Sequence, residues 1–227
     1  LPHEVAVEGG HHHQPAGQRA QQARPGQQGQ QRRQNAAVRF FRDNAQRWDE
    51  LRALHVADRE IERALAHHLP LGARRLLDIG TGTGRLLEVL APRVAQAVGV
   101  DQSREMLALA RANLARAGLD NVEIRQGDMY ALPFEADGFD VVTIHHVLHY
   151  ADDPAAALAE AARVVRPGGT VLVVGHSNTV PDLVAALCAC ATVPMDDTEY
   201  DRMSIVRFAA DGRASLEVQR YGASSRP

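Results

Sequence analysis

Residues 75–90 read RLLDIGTGTGRLLEVL, a short apolar run that enters alternating glycines at 80, 82 and 84 and leaves in helical apolar spacing. A strand turning sharply into a helix accounts for that order. Glycine lets the backbone take conformations closed to other residues and lets a ligand approach the main chain closely. The open N–H groups and positive dipole of the helix N-terminus then favour a polar or anionic group. The pattern repeats downstream. Residues 97–100 read as a strand ending in Asp101, and Ser103 as the cap of a helix closed by Gly118. Residues 122–125 and 139–145 give two more strands, Asp153-Pro154 opens a helix in the favoured cap-then-Pro order, and Pro167-Gly168-Gly169 turns the chain into a strand over 170–174. Repeated β-α units of this length predict an α/β fold, a doubly wound, mostly parallel sheet of Rossmann-like type between two layers of helices. Beyond it, residues 182–191 read as a helix. Strands at 205–208 and 216–219 around Asp211-Gly212 read as a C-terminal antiparallel hairpin.

The rest of the chain divides differently. Residues 1–37 are rich in glutamine, carry a His11-His12-His13 run and offer almost no large apolar side chains after Val7. That composition does not offset the entropy of ordering a backbone, about 1–2 kcal/mol per residue, so a disordered tail is expected, with the histidines an unanchored polar tract and no metal site. Residues 38–72 form a helical, aromatic-bearing segment. Phe40, Phe41 and Trp48 are placed either as a lid over a pocket or in the core, and Asp58 caps a helix with Ile61, Ala64, Leu65, His68 and Leu69 on one face. Residues 73–222 complete the main domain.

A formal net charge of -3 carries no basic footprint for nucleic acid, and the apolar runs are far too short to cross a bilayer. No apolar export leader opens the sequence. Cys188 and Cys190 are two residues apart in a predicted helix and point to different faces, so neither a disulfide nor a metal clip is expected; a soluble, cytoplasmic protein follows. The oligomeric state is not legible.

The chemistry lies in the glycine turn and the acids around it. The spacing is Gly-x-Gly-x-Gly, not the Gly-x-Gly-x-x-Gly of dinucleotide sites, and Asp78 stands two residues before the first glycine. A carboxylate there suits orienting the loop or receiving an amino group. Asp101, 21 residues after Gly80, ends the next strand where it can accept both hydroxyls of a ribose. Asp128 closes the third strand with Met129 beside it, a pair suited to the exocyclic amine and the ring of an adenine. These acids share the carboxyl edge, where open α/β sheets bind ligands. After the fourth strand, TIHHVLHY supplies His145, His146, His149 and Tyr150. Strand alternation sends His145 and His146 to opposite sides. His145 and His149 are the catalytic candidates, as base or acceptor-orienting donor, with local packing the alternative for each.

Taken in order, LLDIGTGTGRLLEVL, VGVDQS, IRQGDMYALPF, FDVVTIHHVLHY and RVVRPGGTVLVV resemble a class I S-adenosylmethionine-dependent methyltransferase over about residues 73–175. The resemblance implies S-adenosyl-L-methionine as cofactor and a small-molecule methyl acceptor. Asp78, Gly80, Thr81, Gly82 and Gly84 would meet the methionine portion, Asp101 with Gln102 the ribose side, and Asp128 with Met129 the adenine; His145 would border the same cofactor cleft. FFRDNAQRWDELRALHV is similar to the start of methyltransferase domains fused behind arsenical-repressor-type winged helices; no winged helix precedes it here, so DNA binding is not implied. The segment 170–222, with Gly175-His176-Ser177, resembles the end of a histidine phosphatase of the phosphoglycerate-mutase-like superfamily. By that likeness His176 would contact a phosphoryl group, yet no Arg-His-Gly motif supplies the nucleophile. Two alternatives to methyl transfer stand beside it: a cofactor-binding regulatory module without turnover, and a phosphatase remnant.

Overall fold

The computed structural model describes residues 4–9, 56–177, 179–188, 191–196, 199, 202–208 and 214–220. The His11–His13 run, the aromatics at 40, 41 and 48 and the Asp211-Gly212 turn lie outside them. The elements are β1 (Glu4–Gly9), α1 (Val56–His68), β2 (Arg75–Ile79), α2 (Arg85–Leu90), β3 (Gln96–Asp101), α3 (Arg104–Arg116), β4 (Val122–Gln126), β5 (Phe139–His145), α4 (Pro154–Val164), β6 (Val165–Gly175), α5 (Val180–Cys188), β7 (Arg202–Phe208) and β8 (Ala214–Arg220). A 3-10 turn over Leu148–Tyr150 follows β5.

Eight strands form one sheet in the order β4-β3-β2-β5-β6-β1-β7-β8. β4 through β1 run parallel, and β7 and β8 close the sheet as an antiparallel hairpin. Side chains alternate between two cores. Leu77, Ile79, Val142 and Ile144 bury toward α4 and α5, whereas Leu76, Val141, Leu172 and Val174 bury toward α1, α2 and α3. This is the expected three-layer arrangement. The strand order runs outward from β2 through β3 to β4, then from β5 through β6 the other way, so the switch point falls between β2 and β5. In such sheets ligands bind at that crevice.

Local chemistry explains the elements. Ser103 Oγ accepts the Met106 N–H at 3.2 Å, and Asp153 accepts the Ala156 N–H at 3.0 Å ahead of Pro154, the two caps expected. Gly118 ends α3 at φ 70. In α1, Ile61, Leu65 and Ala66 enter the second core, and Glu62 clamps Arg85 through two hydrogen bonds of 2.9 and 2.8 Å, tying α1 to the start of α2. That carboxylate raises the Arg85 pKa against the burial that would lower it.

Four expectations are corrected. Residues 4–9 are not part of a featureless tail: they form β1, paired in register with β6 from Glu4↔Thr170 to Gly9↔Gly175 and antiparallel to β7. Backbone pairing on both sides offsets the ordering cost that composition alone could not. Asp58 lies inside α1, not at its cap. The Pro-Gly-Gly segment does not precede β6 but is absorbed within it as a register shift, Phe139↔Val165 being followed by Val141↔Thr170. The C-terminal hairpin itself is as expected, with β7 and β8 paired antiparallel from Arg202↔Arg220 to Phe208↔Ala214. Finally, Cys188 is disulfide-bonded.

Candidate functional site

The glycine loop leaves β2 directly over β3. The N–H groups of Gly80 and Thr81 both donate to the Val100 carbonyl, at 2.8 and 3.0 Å, and Gly84 N–H donates back to Thr81 O at 2.9 Å. Gly80, Gly82 and Gly84 adopt φ of 72, 54 and 82, which only glycine takes without strain. Gly82 faces open space: a Cβ there would meet nothing nearer than its own loop's Gly80 oxygen at 4.0 Å.

Asp101 fastens this loop. Its Oδ2 accepts the Gly82 N–H at 2.9 Å and its Oδ1 accepts the Ser103 N–H at 2.8 Å. Burial pushes its carboxyl above the usual range, partly countered by the N–H groups of Ser103, Gly82 and Gln102. Each carboxylate oxygen has a second lone pair, so the loop contacts leave acceptor capacity for ribose hydroxyls. Asp78 is buried beneath the loop, where Thr143 Oγ1 donates to it at 2.7 Å. The contact ties Asp78 to the neighbouring strand β5.

The adenine-side residues form a turn after β4. Asp128 is exposed and its Oδ1 accepts the Tyr130 N–H at 3.0 Å, while Met129 and Tyr130 pack half-buried against the first core. The Tyr130 hydroxyl accepts the Asp152 and Asp153 N–H groups at 2.8 and 3.2 Å, joining this turn to the segment after β5. Gln102 is exposed, and its backbone carbonyl accepts Gln126 Nε2 at 3.0 Å.

The histidines depart from expectation. His146 has φ 52, so strand alternation stops there, and the His145 and His146 rings meet edge to face with centroids 4.5 Å apart, not on opposite sides of the sheet. Its N–H donates to Val174 O at 3.0 Å, holding it against β6. His176, at the tip of β6, reaches both His146 at 5.2 Å and His149 at 4.6 Å, and His149 lies 3.8 Å from the Tyr150 ring. The sequence flagged these residues one by one but carried no signal for the left-handed turn that gathers them. The same turn brings Val147 onto Gly80, so the histidine segment borders the glycine loop directly.

The donor set suits a nucleoside sulfonium. The loop is open at Gly82, and Thr81 Oγ1 is buried with no hydrogen-bond partner among the described residues. An acid stands at the end of β3, and a half-buried methionine follows β4. These features define a Rossmann-type nucleoside-binding α/β domain.

Comparison with known proteins places the domain. Residues 77–173 match a family model described as a methyltransferase domain. A phosphatidylethanolamine N-methyltransferase of Cereibacter sphaeroides is 39% identical over 159 residues, 69% of this chain and 78% of that protein. A ubiquinone biosynthesis O-methyltransferase of Stutzerimonas stutzeri is 34% identical over 142 residues, 60% of this chain and 61% of that protein. A solved SAM-dependent methyltransferase from Thermotoga maritima is 27% identical with a TM-score of 0.51, covering 60% of each chain. The chain belongs to the S-adenosylmethionine-dependent methyltransferase family. It spans between 40% and 61% of the length of several curated relatives that it matches. Among the described residues no helix is long and apolar enough to cross a membrane.

Proposed function

We propose that this chain transfers a methyl group from S-adenosyl-L-methionine to a small-molecule acceptor. The observation that carries the reading is Asp101 holding Gly82 at the switch point, beside a histidine-bearing turn packed on Gly80. In this reading Gly80 to Gly84 and Thr81 receive the methionine portion, and Asp78 supports them from below through Thr143. Asp101 and Gln102 take the ribose side, and Asp128 and Met129 the adenine. The cofactor supplies an activated methyl group with its own leaving group, so the protein contributes position, exclusion of water and a destination for the acceptor's proton. His145 and His149 are the catalytic candidates for that last task. The relatives' names point to hydroxyl and amine acceptors as the two classes to try first.

The C-terminal likeness to a histidine phosphatase contributes His176 to the same edge, but without an Arg-His-Gly motif it supplies no phosphoenzyme nucleophile. Calorimetry with S-adenosylhomocysteine tests the reading. Saturable binding is expected, and Asp101→Ala should weaken it by about 10- to 100-fold, as loss of hydrogen bonds to a charged group implies. Absence of binding by the unaltered protein, or an unchanged affinity in the variant, refutes the site. Binding without turnover on hydroxyl and amine acceptors favours a regulatory module instead.

A further inference from the structure

Tyr130 stands two residues after Asp128, and its hydroxyl reaches the chain 22 and 23 positions further on, where it accepts the N–H groups of Asp152 at 2.8 Å and Asp153 at 3.2 Å. A phenolic oxygen has two lone pairs, and these contacts take both. The backbone end of the residue is fixed as well. Asp128 Oδ1 accepts the Tyr130 N–H at 3.0 Å, and the Ala131 N–H closes the turn on the Asp128 carbonyl at 3.1 Å. Between these ends the side chain packs half-buried on the first core. One residue therefore spans from the turn after β4 to the backbone just ahead of the α4 cap.

That turn has its own anchorage to α4. Glu160 accepts the Leu132 N–H at 2.8 Å, and Arg163, paired with Glu160, donates to the carbonyls of Leu132 at 3.2 Å and Phe134 at 3.0 Å. These groups staple the far half of the loop to the body of the helix. Tyr130 reaches past them to residues 152–153, close behind the 3-10 turn that carries His149 and Tyr150. Short-range contacts hold that 3-10 turn, Tyr150 N–H to Val147 O and Ala151 N–H to Leu148 O, each at 3.0 Å. The Tyr130 hydroxyl adds a long-range restraint on its C-terminal side.

We propose, resting on the methyltransferase reading, that Tyr130 is a positioning residue that couples the two substrates: occupancy of the adenine side at Asp128 and Met129 orders the acceptor-side segment 148–153 through its hydroxyl. An adenine seated on Asp128 and Met129 restrains the turn from which the Tyr130 ring projects. A restrained ring keeps its two N–H contacts formed for more of the time, so segment 148–153 loses freedom before an acceptor arrives. The acceptor then has less ordering to supply, and binds the loaded protein more tightly than the empty one. Linkage makes the effect reciprocal: an acceptor that holds segment 148–153 also tightens the cofactor.

Hydrogen exchange of the full chain, read amide by amide with and without S-adenosylhomocysteine, tests this. In the unaltered protein the ligand is expected to slow exchange at Asp152 and Asp153 by at least about fivefold, together with exchange at Gly80 to Gly84. Tyr130→Phe keeps the ring and removes the hydroxyl. It should cut the ligand-dependent slowing at 152–153 to less than about twofold, while the slowing at 80–84 persists and S-adenosylhomocysteine affinity by calorimetry stays within about threefold. A purely structural tyrosine would instead raise exchange at 152–153 by the same factor with and without ligand, leaving the ligand-dependent ratio unchanged, and that result overturns the proposal. So does an unaltered protein in which the ligand slows 80–84 and leaves 152–153 unmoved, a comparison that needs no variant. In both cases the cofactor reading stands. If S-adenosylhomocysteine does not bind at all, both fall.

Discussion

Gly80 leaves room for no side chain. A Cβ built there would meet Val147 Cγ2 at 2.6 Å, and its φ of 72 is strained for any other residue. Gly80→Ala must therefore displace either the loop or the histidine turn. We expect a loss of about 1–3 kcal/mol in stability together with weaker S-adenosylhomocysteine binding, measured by thermal unfolding and calorimetry. A fully stable variant with unchanged affinity would mean the two segments do not touch in solution. Asp101 adds a pH dependence of definite sign. Its folded pKa is raised, so the native state binds its proton more readily than the unfolded chain. The contribution of that group is fully present below about 3.9 and is lost as pH rises through the raised value. Burying this carboxyl costs stability, in exchange for backbone contacts to Gly82 and Ser103 and an acceptor for a ligand. The sequence revealed Asp101 through its distance from the glycines; it could not reveal that Gly82 of the loop and Ser103 of the following cap would each donate to one of its oxygens.

At the scale of elements, the start of β2 is held by one carboxylate from β5. Asp140 accepts the N–H groups of Arg74 and Arg75, each at 2.8 Å, and pairs with the Arg166 guanidinium on β6. Burial alone would push its pKa up, but Arg166 and the two N–H groups hold it below the usual value. Because the folded pKa is depressed, this stability is present above about pH 3.9 and is lost as pH falls through the depressed value. Asp140→Asn should cost about 1–2 kcal/mol at pH 7, discounted for the half-exposed arginine, and the gap to the unaltered protein should close in acid. Denaturant melts at pH 7 and pH 3 check this; an equal gap at both would assign the effect to shape and not charge. Caps and periodicity made most helices and strands legible, because Ser103, Asp153 and the glycines act locally. Asp140, joining three strands, was invisible for the opposite reason: its partners at 74, 75 and 166 are brought near only by the completed sheet. The histidine cluster was hidden in the same way, by one left-handed residue that no periodicity encodes.

On the scale of the whole molecule, β1 joins the parallel sheet to the antiparallel hairpin, since β6 and β7 meet only through it. Composition concealed this strand, because its support comes from two ladders contributed by residues more than a hundred and fifty positions away. The carboxyl edge that carries the glycine loop, Asp101 and Asp128 belongs to β2, β3 and β4, on the far side of β5 and β6 from β1. Stability and cofactor binding should therefore separate. Ala6→Pro removes a backbone donor from a strand paired on both sides, leaving an acceptor unmatched at a cost of about 1–3 kcal/mol and adding the strain of a proline within a central strand. The variant is expected to melt earlier and to expose amides of β6 and β7 to hydrogen exchange, while amides of β2 and β3 stay protected and S-adenosylhomocysteine affinity changes by less than about threefold. Equal loss of protection across all eight strands would show instead that the sheet opens as one cooperative unit, and that the β1 ladder supports the cofactor edge as well as the hairpin.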